Sequence, residues 1–281
     1  MRWPIRLART IALAVIIAIG INHVFWAVTD WHLKDAGAYW EAAMRLRDGQ
    51  QLFPPVANVE ASEVYRYSPW FAWLWVPLTY LPRALVGIAW SAVLLGASAL
   101  AILPLWRRGA WVAVAFFLPI LIGISATGNV HPLLIAVLVL GVERRSGPAW
   151  IAVAASLKAV PILFVLTYLG RRQWERAGIT IVATAILVAP MLLYDLSNYV
   201  TTAGGAPLLI AWPPGYVAAV GIGIVVSLRL ADGRWGWLTS ATTVSLALPR
   251  FFLYDVTYLM VGAPAEPPAT RATSRSARSI E

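Results

Sequence analysis

The sequence predicts an all-α integral membrane protein, a polytopic bundle of about ten membrane helices that include short half-helices. Hydrophobic residues make up 60% of the 281 residues and charged residues only 12%, whereas soluble domains are about one quarter charged. Apolar runs long enough to enter or cross a bilayer recur along the chain, since a spanning helix needs about 20 such residues. Arginines fall in short clusters between these runs, which is typical of cytoplasmic loops.

Composition also excludes several kinds of site. The net charge of +9 comes from arginines that flank apolar runs, so we expect membrane lipids and no nucleic acid as partners. The chain has no cysteine, which excludes disulfides and thiolate ligands. Its three histidines, His23, His32 and His131, are scattered. We therefore expect no metal and no cofactor.

The elements are predicted in order from hydropathy and charge. The first apolar run lacks a small-residue cleavage site, so we interpret it as a retained helix rather than a signal peptide. Residues 1–262 form one transmembrane domain, and residues 263–281, rich in Pro, Ala, Ser and Arg, form a disordered cytoplasmic tail. The predicted membrane helices are 8–28, 84–105, 109–125, 131–142, 177–193, 210–228, 236–248 and 250–262.

The segment "GPAWIAVAASLKAVPILFVLTYLGRR", residues 147–172, has a lysine in its apolar centre. As one span it would place Lys158 at mid-bilayer, at a cost of about 2.5–3.5 kcal/mol unless the side chain snorkels. As two short helices, 148–157 and 160–170, it keeps both flanking arginine clusters in the cytoplasm, and Pro161 favours a break there. We therefore predict a hairpin that Lys158 caps at the outer face.

The same topology places residues 29–83 outside the membrane. Their last part, "SPWFAWLWVPLTYLP", is short for a span and rich in aromatic residues, which predicts an interfacial helix. The outer face then collects the candidate site residues Asp30, Asp35, Tyr39, Tyr65, Arg66, Tyr67, Asn129, His131, Lys158, Arg250 and Asp255.

These residue types suit a transfer from a phosphate. Lysine and arginine bind phosphate groups, and a carboxylate takes a proton from a hydroxyl nucleophile. Several alternatives stay open from the residues alone. Asp30 is the alternative to Asp35 as the base, Arg250 is either a phosphate ligand or a membrane-end anchor, and His131 is either a site residue or an interfacial hydrogen-bonding residue.

Five segments, in order, resemble glycosyltransferase family 87, the polyprenol-phosphate-mannose-dependent mannosyltransferase-like membrane proteins. They are "DAGAYWEAAMRLRDGQQLF", "YRYSPWFAWLWVPLTYLP", "GNVHPLLIAVLVLG", "AWIAVAASLKAVPILFVLTYLGRRQW" and "LALPRFFLYDVTYL". The resemblance implies that Asp35, followed by Tyr39 and the pair Ala42-Ala43, is the catalytic base. It also matches Lys158 with Pro161, and Gly128 with Asn129, to family positions.

The resemblance further implies an inverting transfer of a mannose-like hexose from a polyprenyl-phosphate sugar to a glycolipid or glycan acceptor. It places the active site on the outer side of the bacterial cytoplasmic membrane. Lys158, Arg250 and Arg66 are expected at the donor phosphate, and Tyr39, Tyr65, Tyr67, Asn129, His131 and Asp255 around the substrates. The chain is shorter than usual members, so an inactive relative is one alternative. A transporter or flippase of lipid-linked substrates is the other, since a broken helix with a buried lysine suits it as well.

Overall fold

The computed structural model describes residues 33–58, 61, 64–199, 207–249 and 251–263, with scattered residues between 10 and 25. Every regular element in these ranges is helical. The scattered residues of the first predicted span are helical too. Asp30, His32 and Arg250 lie outside the described residues, as does the predicted tail from residue 264 onward.

The helices follow one another through short connections. Proline occupies one of the first two positions of several of them, where its missing N–H is not needed. The α-helices are Lys34–Arg47 (α1), Pro69–Trp75 (α2), Arg83–Arg107 (α3), Trp111–Ala126 (α4), His131–Gly141 (α5), Gly147–Lys158 (α6), Val165–Gly170 (α7), Trp174–Val188 (α8), Pro207–Ala211 (α9), Pro213–Leu230 (α10) and Gly236–Ala247 (α11). The 3₁₀-helices are Val76–Tyr80, Val160–Phe164, Ala189–Leu193 and Leu253–Gly262.

The lengths of the apolar helices confirm a helical membrane protein. Among the described residues, Arg83–Arg107, Trp174–Leu193 and Pro213–Leu230 are long and apolar enough to cross a membrane. They correspond to the predicted spans 84–105, 177–193 and 210–228. The helices α4 and α5 and the segment Val160–Gly170 are apolar but shorter.

The lysine segment forms the predicted hairpin. Helix α6 ends at Lys158, the next residue, Ala159, has φ 49° and ψ −62°, and the chain returns as the 3₁₀-helix Val160–Phe164 followed by α7. At the far end, the Tyr168 hydroxyl donates to the Val142 carbonyl at 2.6 Å. The Arg171 guanidinium also meets the Glu143 carboxylate at 2.8 Å. Both basic flanks therefore lie at the same end of the molecule.

A glycine allows the two limbs to close at that end. A Cβ atom on Gly147 would collide with the Tyr168 hydroxyl and the Val142 carbonyl oxygen. The Arg176 guanidinium also lies against Gly147 and donates to the carbonyls of Val142 and Arg144. We call this end, with Val142–Gly147 and Tyr168–Arg176, the basic end.

The described part of the predicted outer loop and the following connections gather at the opposite end, which we call the site end. Helix α1 packs against α2 and the 3₁₀-helix that follows it. The connection after Leu193 joins them, because Trp73 Nε1 donates to the Tyr194 hydroxyl at 2.8 Å and Gln51 Nε2 donates to Asp195 at 3.0 Å. The predicted outer loop is thus a packed structure with a short helix where the aromatic segment predicts one.

Candidate functional site

Asp35 lies in the first turn of α1 and faces the turn between α4 and α5. Its Oδ2 accepts hydrogen bonds from Thr127 Oγ1 at 2.7 Å and from Asn129 Nδ2 at 3.1 Å. Its backbone N–H donates to the Thr127 carbonyl at 2.8 Å. Among the described residues, both side-chain hydrogen bonds to Asp35 end on Oδ2, and Oδ1 takes part in neither. The half-buried carboxylate is therefore held by one oxygen, while the other is left to accept a proton.

The turn that holds Asp35 needs a glycine. Gly128 has φ 78°, in the left-handed region that other residues rarely adopt. A Cβ atom there would also lie 2.8 Å from the Cβ atoms of Leu33 and Ala36. The small-residue turn and the start of α1 therefore approach more closely than a side chain on Gly128 would allow.

Two tyrosines lie beside the carboxylate. The Tyr39 hydroxyl donates to the Tyr67 hydroxyl at 3.2 Å and accepts from the Val130 N–H at 3.1 Å. Burial raises the pKa of Tyr39 well above its ordinary value, and Tyr67 and Asp35 raise it further. Burial also raises the pKa of Tyr67. Both hydroxyls are therefore neutral at physiological pH and act as hydrogen-bond donors and acceptors rather than as bases.

Lys158 caps the hairpin at the same end. Its Nζ donates to His131 Nδ1 at 3.4 Å and lies 4.6 Å from the centre of the Tyr254 ring. It interacts electrostatically with Asp255 and Asp35. No described carboxylate forms a direct ion pair with it, since the ion pairs among the described residues lie elsewhere. The half-buried ammonium is thus held by neutral groups.

His131 begins α5 and is completely buried. Its Nε2 lies 3.1 Å from the Tyr254 carbonyl and 2.8 Å from Thr257 Oγ1. Because a carbonyl only accepts, Nε2 carries the proton, and Nδ1 is left as the acceptor for Lys158. His131 therefore holds the lysine, in addition to closing the contact between α5 and the last helix.

The turn joins the acidic and basic groups in one hydrogen-bonded chain. Asn129 donates to Asp35 through Nδ2 and accepts the His131 N–H through Oδ1 at 2.9 Å. The His131 ring then receives Lys158. Consecutive bonds thus fix the positions of Asp35 and Lys158 relative to each other.

Asp255 lies in the first turn of Leu253–Gly262 and is 2% exposed. Its carboxylate accepts the Phe252 N–H at 2.8 Å and interacts electrostatically with Lys158. It caps its own helix and contributes negative charge behind the lysine.

The Tyr65-Arg66-Tyr67 segment is divided between packing and the site. The Tyr65 hydroxyl donates to the Ser68 carbonyl at 2.8 Å, and its ring stacks on Phe53. The Arg66 guanidinium donates to the carbonyl of Ala61 at 3.2 Å, and Tyr67 contacts Tyr39. Arg66 therefore stabilises its own loop in this structure. Of the three residues, Tyr67 lies closest to the predicted base, Asp35.

The predicted outer loop is attached directly beside the lysine. Ser68 Oγ donates to the Ser156 carbonyl, and Trp70 Nε1 donates to Ser156 Oγ at 3.2 Å. Ser156 lies two residues before Lys158, so the loop that carries Tyr67 and the hairpin tip are fixed to each other.

The structure thus brings together Asp35, Tyr39, Tyr67, Asn129, His131, Lys158 and Asp255. Sequence reasoning missed Thr127, Tyr254 and Thr257, which hold the named residues in place. Their signal is weak, because each is noticeable only by its nearness to a predicted residue: Thr127 precedes Gly128, Tyr254 precedes Asp255, and Thr257 follows Asp255 by two residues. No group of three or more histidine and acidic side chains suitable for a metal ion occurs among the described residues.

A family model described as glycosyltransferase family 87 matches residues 65–273, well over half of the chain. The matched region contains Asn129, His131 and Lys158, whereas Asp35 and Tyr39 precede it. No curated protein and no solved structure matches the chain significantly.

Proposed function

This chain belongs to glycosyltransferase family 87, and from that premise we propose that it transfers a mannose-like hexose from a polyprenyl-phosphate sugar to an acceptor hydroxyl. Family membership makes it a membrane glycosyltransferase. The lipid-linked donor, a glycolipid or glycan acceptor, and a location at the outer face of the bacterial cytoplasmic membrane belong to the proposal.

One observation carries the proposal: the hydrogen-bonded chain from Asp35 through Asn129 and His131 to Lys158. It fixes a carboxylate with one oxygen left to accept a proton. At the same end of the bundle it fixes an ammonium that has no direct carboxylate partner among the described residues. A transfer from a phosphate needs both groups, a base for the nucleophile and a cation for the leaving group.

The proposed step is a single displacement. Asp35 accepts the proton of the acceptor hydroxyl, whose oxygen forms a new bond to the anomeric carbon. The bond between that carbon and the phosphate oxygen breaks, and its electron pair leaves on the lipid phosphate. Attack from the face opposite the leaving group inverts the anomeric configuration.

Fixed charge stabilises the leaving group. In the proposal, Lys158 faces the phosphate on which negative charge develops, and fixed cations in a site shielded from water lower the energy of such a transition state. Arg250 is proposed as a second cation at the same phosphate. Arg66 is proposed as a third, which requires its guanidinium to release the loop carbonyl of Ala61.

Neutral groups are proposed to orient the sugar. The Tyr67 hydroxyl lies next to Asp35 and stays protonated, so it offers a hydrogen bond to a sugar hydroxyl without competing for the acceptor's proton. The completely buried Tyr39 hydroxyl donates to Tyr67 and orients it rather than touching the sugar. Asn129 fixes the base from the other side. In this proposal Tyr65, His131 and Asp255 support the groups that touch the substrates.

The test is transfer by the purified protein in liposomes, offered a panel of polyprenyl-phosphate sugars and a lipid-acceptor extract. Transfer from one donor is expected for the wild-type protein. Asp35→Asn should lower the rate by about 100-fold or more, because removal of a general base typically costs 10²–10⁴-fold.

Asp48→Asn is the matched control. Asp48 follows the same helix and pairs with Arg47 at the surface, about 20 Å from Asp35 along a helix that rises 1.5 Å per residue. It should leave transfer unchanged. If folded protein transfers no sugar from any donor, the enzyme proposal fails, and a transporter of lipid-linked substrates or an inactive relative replaces it. If Asp35→Asn retains full activity, the base is another residue.

A further inference from the structure

The environment of Lys158 differs from that of a lysine in a structural ion pair. Its ammonium contacts the lone pair of His131 Nδ1 and the face of the Tyr254 ring, and both groups are neutral. The carboxylates that attract it, Asp255 and Asp35, lie beyond direct contact. A lysine bound in this way keeps its orientation, while no carboxylate in the described ranges compensates its charge by direct contact.

The orientation depends on the protonation of the histidine ring. Thr257 Oγ1 donates its hydrogen to the Tyr254 carbonyl at 2.7 Å, so it accepts from His131 Nε2. The Tyr254 carbonyl also accepts from Nε2. Both neighbours of Nε2 are therefore acceptors, which places the ring proton on Nε2 and the lone pair on Nδ1.

We propose that His131 is a positioning residue: through Nδ1 it holds the Lys158 ammonium towards the phosphate of a lipid-linked ligand, with Thr257 fixing the tautomer. The proposal rests on the proposed function for the identity of the ligand. It adds a residue that acts through Lys158, although the ring itself is completely buried. A residue that only fills space between α5 and the last helix would not need this tautomer.

Two substitutions at His131 separate positioning from packing. The amide oxygen of asparagine lies near the position of Nδ1, so His131→Asn keeps an acceptor for Lys158 and loses the contact with Thr257. The amide of glutamine reaches the position of Nε2, so His131→Gln keeps that contact and loses the acceptor. The two variants are similar in polarity and differ in which nitrogen of the ring they imitate.

The measurement is binding of a short isoprenyl monophosphate to the full-length protein in lipid nanodiscs, with the corresponding isoprenyl alcohol as reference. We expect the wild-type protein to prefer the phosphate and Lys158→Gln to lose that preference. His131→Gln should weaken phosphate binding by about tenfold, the effect of one hydrogen bond to a charged group. His131→Asn should recover most of the loss and leave alcohol binding unchanged.

A second pair of variants covers the case in which both histidine variants misfold. Thr257→Val removes the hydroxyl that accepts from Nε2 and should weaken phosphate binding severalfold. Its matched control is Thr242→Val on α11, where an exposed threonine only bonds back to the Leu238 carbonyl of its own helix. The control should bind as the wild-type protein does.

The outcomes separate this inference from the proposed function. Equal losses in folded His131→Asn and His131→Gln, or equal binding by the Thr257→Val and Thr242→Val proteins, would overturn the positioning role even if the protein transfers sugar. The expected binding pattern in a protein that transfers no sugar would support the positioning role and reject the transferase. A wild-type protein that does not distinguish the phosphate from the alcohol would overturn the phosphate role of Lys158 itself.

Discussion

Thr127 determines which oxygen of Asp35 is free. Its hydroxyl and the Asn129 amide both bond to Oδ2, so the carboxylate cannot rotate without breaking both bonds. Hydrogen bonds to charged groups contribute about 1.5–3 kcal/mol each. We therefore expect Thr127→Val, which keeps the branched shape and removes the hydroxyl, to lower the rate of sugar transfer by about tenfold.

Thr127→Ser is the matched comparison, because serine retains the hydroxyl. Steady-state rates at saturating donor should be close to wild type for the serine variant and reduced for valine. Equal reductions in both variants would show that the methyl group, through packing, matters more than the bond to Asp35. A valine variant with full activity would show that Asn129 alone orients the base.

At the scale of the elements, the tip of the hairpin is strained. Ala159 follows Lys158 with φ 49° and ψ −62°, a conformation that costs a residue with a side chain about 1–3 kcal/mol. Glycine tolerates it. We expect Ala159→Gly to raise the free energy of unfolding by about 1 kcal/mol, which thermal unfolding in detergent would show as a higher midpoint temperature. The same substitution should slow sugar transfer, because the backbone at Lys158 becomes more flexible.

Ala155→Gly in the same helix gives the opposite expectation. Ala155 lies in the regular part of α6, where glycine costs about 1 kcal/mol relative to alanine. Both substitutions remove one methyl group, at positions four residues apart. Changes in the free energy of unfolding with opposite signs would therefore identify backbone strain at Ala159 as the cause. If both variants lose stability equally, Ala159 is not strained.

The elements also show how far the sequence determines the fold. Hydropathy and arginine clusters predicted the hairpin of Lys158 and located spans such as 84–105 and 177–193 within a few residues of Arg83–Arg107 and Trp174–Leu193. These signals are local, because burial in lipid and charge at the ends act on each segment separately.

Contacts between segments were less predictable. The sequence predicted Asp35 and Lys158 as site residues but not the hydrogen bonds that hold them. Thr127, Tyr254 and Thr257 are common residue types, and their contacts arise only when α1, α5 and the last helix meet. Hydropathy likewise does not indicate that Val160–Phe164 and Leu253–Gly262 are 3₁₀-helices rather than α-helices. Packing decides it.

At the scale of the whole molecule, the two ends differ in the charged residues that they carry. Arginines and Glu143 gather at the basic end, where Arg171 bonds to Glu143 and to the Ala231 carbonyl. The site end carries Asp35, Lys158 and the aromatic loop that the sequence predicts to be outside. Because positively charged loops stay in the cytoplasm, this asymmetry predicts that the site end faces outside.

Cysteine labelling tests that orientation in a chain that has no cysteine of its own. Exposed positions are available at both ends: Ser146 and Glu175 on the two flanks of the hairpin, and Ser197 in the loop that follows Leu193. In intact cells, a membrane-impermeant maleimide should label Ser197→Cys and should reach Ser146→Cys and Glu175→Cys only after permeabilisation. Labelling of Ser146→Cys and Glu175→Cys from opposite sides would contradict the hairpin. Labelling of both from outside, with Ser197→Cys protected, would keep the hairpin and reverse the orientation, so that the site would face the cytoplasm and its donor would have to be supplied there.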